Sequence, residues 1–132
     1  MKLTKYSKAR FMSNLAYYNV PKEWAEPMYG YLVEGYPPGS FFTALLSNDA
    51  MEMIARSHPG NTITELKTLV TWLNNRAPSY TFYGSPEKVK AWLALSPKKR
   101  RAALEEQNLI YSEKEEIGMV LREDPVPLYV YN

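Results

Sequence analysis

The residues that could do chemistry are few and scattered. His58 is the single histidine, and the chain has no cysteine. A thiol nucleophile, an iron–sulfur site, a disulfide framework and a cysteine zinc site are therefore excluded, and the usual histidine zinc sites are out of reach. His58 precedes Pro59-Gly60 at the expected end of a helix, where a cation favours the C-terminal dipole. A catalytic histidine needs a nucleophile and an orienting carboxylate, and neither stands at a recognised spacing from it. Asp49 and Glu52 share a helical face three residues apart, as paired carboxylates for acid–base work do. Such pairs are ordinarily solvated surface, and Asp49 reads first as a helix cap. The six glycines are spread along the chain and form no phosphate loop. These absences predict a non-enzymatic protein without metal or cofactor.

Charge is more informative in its distribution than in its sum. Sixteen basic and fourteen acidic residues leave a net +2, too mild to announce nucleic-acid binding. From Met1 to Lys22, however, there are five basic residues and no acidic one, and Lys98-Lys99-Arg100-Arg101 forms a second basic block. From Glu105 to Asp124 there are seven acids against Lys114 and Arg122. The second block follows Ser96-Pro97, so it occupies the first turn of a helix, where cations oppose the macrodipole at about 0.3–1 kcal/mol each. Helix stability does not explain that placement. Either the acidic stretch Glu113–Glu116 folds back on the block, or the block meets an external anion or acidic protein.

The eleven tyrosines exceed what a small core takes up, and tyrosine is enriched at interfaces because its ring is apolar and its tip polar. Tyr80-Thr81-Phe82-Tyr83 falls in an irregular stretch, where binding residues concentrate.

The elements that must carry these residues are helical. At 132 residues with 45% apolar and 23% charged composition, the chain has the size and make-up of one folded domain rather than a disordered segment. Prolines and glycines cut it into helix-sized pieces. The first runs from about Thr4 to Tyr18. A second covers Lys22 to Glu34 with Gly35 after it, placing Trp24, Met28, Tyr31 and Leu32 along one side; Pro27 lies in its first turns. Ser40 is read as the cap of Phe41 to Asn48, whose Phe41, Phe42, Leu45 and Leu46 form a core face. Asp49 opens a short helix through Ala55. Thr62 and Glu65 form a capping box ahead of the stripe Ile63, Leu66, Leu69, Val70 and Leu73. Ser85-Pro86 and Ser96-Pro97 open further helices, and Ser112 with Glu115 forms a second box ahead of Ile117, Val120 and Leu121. The tail Pro125–Tyr131 has strand-like residues but two prolines, which predicts an extended arm with at most an edge strand. The expectation is an all-α single domain, 1–132, of six or seven short helices. It comprises a basic N-terminal helix or arm (1–22), a core region (23–95), charged C-terminal helices (96–124) and an extended tail (125–132). No apolar run has the length of a membrane span, and the first residues lack the apolar stretch of a secretory signal.

Pro37-Pro38-Gly39-Ser40-Phe41-Phe42, Leu45-Leu46-Ser47-Asn48-Asp49, Ala77-Pro78 and Gly84-Ser85-Pro86-Glu87-Lys88-Val89 followed by Trp92 make an order that resembles a group of small tailed-bacteriophage accessory proteins of unassigned function. The likeness spans about residues 24–94. It carries no catalytic motif, and implies a protein that binds and modulates a host or phage component in the cytoplasm of the host cell. Tyr83 stands where similar sequences carry tryptophan.

The first reading is thus a non-enzymatic phage-type interaction protein that binds a host or phage protein through Tyr80, Phe82, Tyr83, Lys98, Lys99, Arg100 and Arg101. One alternative is a nucleic-acid-binding accessory protein using Lys2, Lys5, Lys8, Arg10 and the 98–101 block. Another is a protein that sequesters a small anionic nucleotide in an aromatic and basic pocket. A homo-oligomer is compatible with all three, since self-association would also cover surplus aromatic surface.

Overall fold

Side-chain caps set most of the helix starts. The computed structural model of the chain describes residues 3–76 and 82–127. Over these residues it contains eight α-helices and no strand: α1 Lys5–Tyr17, α2 Lys22–Tyr29 continued by a π-helical turn Gly30–Glu34, α3 Ser40–Leu46, α4 Ala50–Arg56, α5 Ile63–Arg76, α6 Pro86–Ala94, α7 Pro97–Glu106 and α8 Glu113–Arg122. The all-α single domain is as expected. The count is one more than the upper end of six or seven, and Asn48, at φ 64°, with the Asp49 cap separates α3 from α4 as the sequence predicts.

Ser85 Oγ accepts from Lys88 N–H and Ser96 Oγ from Lys99 N–H, each with proline at the first helical position. Ser112 and Glu115 form the reciprocal capping box, and Thr62 with Glu65 forms the other at 2.8 and 3.1 Å. One cap differs from expectation. Gly39 rather than Ser40 is the cap residue of α3, without a side-chain bond, and Thr43 Oγ1 instead donates to Pro38 C=O at 3.3 Å.

Helix α2 starts at Lys22 and runs through Pro27. Proline has no N–H to give the carbonyl four residues back, and three residues on the helix widens into the π turn. Gly35 closes the turn at φ 71°, and Tyr36 N–H reaches back to Gly30 C=O at 3.1 Å. The left-handed conformation favours glycine, and a Cβ there would sit 2.7 Å from Arg100 Cζ, so the guanidinium would have to shift.

One continuous core runs from Phe11 to Ile110. Trp24, Met28, Tyr31 and Leu32 are all buried in it, as their spacing predicts. Phe11 packs edge-on to Tyr29 and to Trp72, and Trp72 Nε1–H donates to Asn14 Oδ1 at 2.8 Å. Tyr31 O–H donates to Phe82 C=O at 2.8 Å, while Trp92 Nε1–H donates to Tyr31 C=O at 3.2 Å. This links the π turn to α6 and to the segment before it. Burial pushes the Tyr31 phenol well above its ordinary value. Of the α5 stripe, Ile63 departs: it is exposed, while Leu66, Leu69, Trp72 and Leu73 form the buried face.

Pro125–Pro127 have no regular secondary structure. The rest of the tail, where an edge strand was expected, lies outside the described residues. Among those residues no helix is long and apolar enough to cross a membrane.

Candidate functional site

The basic block divides into an outer and an inner half. Lys98 and Lys99 are exposed, whereas Arg100 and Arg101 are buried. Arg101 is only 8% exposed. Its Nη2 donates to Glu116 Oε1 and, at 3.1 Å, to Tyr111 C=O, and its Nε donates to Glu105 Oε1 at 3.0 Å and lies 3.6 Å from Glu113. Burial opposes its charge, but Glu116 and Glu105 more than offset that, so the guanidinium is held above its ordinary pKa. Of the two explanations for cations in the first turn of α7, the acidic stretch folding back is the one realised at Arg101. Arg100 turns the other way, lies against Gly35 and donates through Nη1 to Leu95 C=O at 2.6 Å.

Glu116 is the centre of this arrangement. It is 5% exposed, the one buried residue of α8. Besides Arg101 it accepts from Thr4 N–H at 3.0 Å and from Thr4 Oγ1, with the Ser7 side chain also favouring its charge. Burial raises its pKa, but the Thr4, Ser7 and Arg101 bonds outweigh that and hold the carboxyl below its ordinary range. Helix α1 has no acidic residue in its first turn, so Glu116 supplies from α8 the negative charge that a helix N-terminus favours. Tyr6 O–H on Asp124 C=O at 2.6 Å, Arg10 Nε–H on Asn108 C=O at 3.0 Å and Tyr111 N–H on Ser7 Oγ at 3.1 Å extend the seam between α1 and the segment from Asn108 to Asp124.

Because Glu116 faces inward, the aliphatic residues of α8 face out. Ile117 is 60% exposed, Val120 51% and Leu121 78%. They sit at i, i+3 and i+4, the spacing of one helical stripe. With Thr4, Arg101, Glu113 and Glu116 they line an open groove of about 350 Å³. It has aliphatic walls and an acidic, ion-paired floor.

The other residues singled out in the sequence lie elsewhere. Phe82 is buried with its ring edge-on to Trp92. Tyr83 is half-buried and lines a smaller cavity of about 170 Å³ with Leu45, Asp49, Met53, Val70 and Leu73. This cavity shares no lining residue with the α8 groove. Tyr80 and Lys2 lie outside the described residues. Lys5 is exposed; Lys8 lies over the Tyr29 ring at 5.0 Å and Arg10 over the Tyr111 ring at 4.6 Å. Asp49 caps α4 by accepting from Glu52 N–H at 3.2 Å, and Glu52 pairs with Arg56, so both carboxylates have structural partners. His58 Nδ1 accepts from Gly60 N–H at 2.9 Å and closes its own turn. Among the described residues no cluster of histidine and acidic side chains is placed to hold a metal ion.

The groove was missed from sequence because a stripe of three aliphatics reads the same whether it faces core or solvent. The usable signal was the acidic first turn of α8 itself, following a helix whose first-turn cations needed a partner. Comparison with protein-family models, curated proteins and solved structures finds no match.

Proposed function

We propose that this chain is a non-enzymatic interaction protein that binds another protein through the outer face of α8. The observation that carries the reading is the reversal of that helix: a carboxylate is buried while Ile117, Val120 and Leu121 stand in solvent around an open groove. Exposed aliphatics are commonplace singly, but contiguous ones rimmed by charge mark interaction sites. The phage-like pattern at residues 37–49 and 84–92 supports a role as an accessory that modulates a host or phage protein. Exposed Tyr17 and Tyr36 are further rings available for contact.

The nucleic-acid reading has less support, because Arg100 and Arg101 are buried, and Lys8 and Arg10 lie over tyrosine rings. Fewer cations remain to release counterions from a phosphate backbone. The anionic-nucleotide reading is disfavoured at the α8 groove, where Glu113 and Glu116 outnumber Arg101.

The test is affinity capture from bacterial lysate by the wild type and by Leu121→Asp, with captured proteins identified by mass spectrometry and rebound in purified form. A purified protein that binds the wild type and not the variant is expected. Identical capture by both chains overturns the reading.

A further inference from the structure

The α8 groove has a polarity that limits what can occupy it. Residues 101–124 carry seven acids against Arg101, Lys114 and Arg122, a local net charge of −4, in a chain whose overall charge is +2. Arg122 is committed to Asp124 at 2.9 Å, and Arg101 is buried beneath the surface. At the N-terminal end of the stripe, Glu113 keeps 76% of its side chain in solvent although it lies near Arg101. Ile117 and Leu121 follow Glu113 at intervals of four, so carboxylate and aliphatics lie along one edge of the helix. At the other end Lys5 and Glu123 line the adjoining surface with Val120 and balance one another.

Resting on the interaction reading above, we propose that this groove seats an amphipathic helix whose apolar stripe carries a lysine or arginine one turn away, placed against Glu113. Three observations select this occupant. The first is charge: an acidic rim disfavours an acidic partner and draws a basic one, both in encounter and in register. The second is shape. The described residues offer no sheet edge for strand addition, while an exposed helical stripe beside a groove is the geometry of helix-in-groove recognition. The third disfavours a second copy. A two-fold pairing sets the same patch against itself, and so brings together two copies of a segment of like net charge.

The probes are two fluorescein-labelled designed 18-residue helices with one shared leucine stripe, flanked by lysines in the first and glutamates in the second. Each is titrated by fluorescence polarisation against the full chain and against Leu121→Asp and Glu113→Lys. Both substituted side chains are exposed, and thermal melts confirm that the variants fold. The lysine helix is expected to bind at least about tenfold more tightly than the glutamate helix, with the gap narrowing as salt screens it. Leu121→Asp should weaken the lysine helix about tenfold or more, as loss of an apolar anchor does. Glu113→Lys should weaken the lysine helix and strengthen the glutamate one.

Equal binding of the two helices, or no binding of either, overturns the inference. If neither helix binds but a purified partner still depends on Leu121, this inference falls and the interaction reading stands. If no partner depends on Leu121, both fall. Two further results also overturn it by naming another occupant: concentration-dependent dimerisation abolished by Leu121→Asp identifies a second copy, and a marked gain in lysine-helix affinity on truncation after Pro127 identifies the chain's own tail.

Discussion

Replacing Glu116 by glutamine tests the seam that sets the rotation of α8. The side chain keeps its shape and loses its charge. The carboxylate it replaces is 5% exposed and accepts from Thr4 N–H, Thr4 Oγ1 and Arg101. Stripping one partner from a wholly buried pair costs about 3–5 kcal/mol. Here Arg101 retains Glu105 at 3.0 Å and Tyr111 C=O at 3.1 Å, so it is not stranded. The loss reduces to weakened charge-assisted bonds and an amide N–H₂ turned toward other donors, together about 2–3 kcal/mol. For a domain of this size that lowers Tm by about 10 °C.

The pH dependence gives a second handle. Glu116 is held below its ordinary value of 4.5, so its contribution is fully present above that value and disappears as pH falls through the folded pKa. Urea unfolding followed by tryptophan fluorescence should therefore separate wild type and Glu116→Gln at about pH 7 and bring them together as pH falls below 4.5 and through the folded pKa. A gap below about 0.5 kcal/mol at neutral pH, within the range of ordinary surface substitutions, would refute the reasoning. So would a gap that stays constant down the acid limb. The double variant Arg101→Met with Glu116→Leu should lose less than the two single losses combined, since an apolar pair removes both desolvation penalties at once.

Gly35→Ala should destabilise by about 2–4 kcal/mol, combining a left-handed backbone penalty of about 1–2 kcal/mol with displacement of the Arg100 guanidinium. Gly39→Ala, where a Cβ meets nothing within 4 Å, should stay under about 1 kcal/mol; equal thermal shifts for the two would contradict the assignment. Tyr31→Phe takes the donor from the buried Phe82 carbonyl and should cost about 1–3 kcal/mol in denaturant unfolding. Because burial holds the Tyr31 phenol above its ordinary value of 10.0, the native state favours its neutral form. That preference contributes below about pH 10 and is lost as pH rises through the folded value. The wild type should therefore lose stability on the alkaline side more steeply than the phenylalanine variant.

What was legible in the sequence was local. The caps at Ser85, Ser96, Ser112 and Thr62, and Gly35 after α2, act within four residues of themselves, so a short window contains their whole chemistry. The stripe Trp24, Met28, Tyr31 and Leu32 was legible because a buried face repeats at the helical period. The tyrosines were not. Counting rings does not reveal that Tyr6 and Tyr31 satisfy their hydroxyls on distant carbonyls, at Asp124 and Phe82, and so enter the interior that the count seemed to overfill. Cations in the first turn of α7 showed that something other than helix stability held them there, and the stretch Glu113–Glu116 was one of two candidate partners; that Glu116, fifteen residues from Arg101, is the one that pairs is decided only in three dimensions.

The rotation of α8 is where structure and proposal meet. Successive residues on an α-helix are about 100° apart, so turning α8 by one residue would move Ile117 to the place Glu116 now occupies. Burying one such aliphatic side chain gains roughly 1.5–3 kcal/mol, whereas a buried ion pair is often no better than a well-packed apolar replacement. Hydrophobic burial alone therefore favours the turned helix. What holds the observed setting is the convergence of Thr4 and Arg101 on one carboxylate, bonds that a rotated helix would lose, leaving Thr4 N–H without its acceptor. The seam fixes register, and its consequence is an aliphatic edge that the described residues leave exposed. Replacing Glu116 and Arg101 with apolar residues should therefore leave a stable fold while altering what the outer face of α8 can bind, separating the part of this seam that serves stability from the part that serves contact.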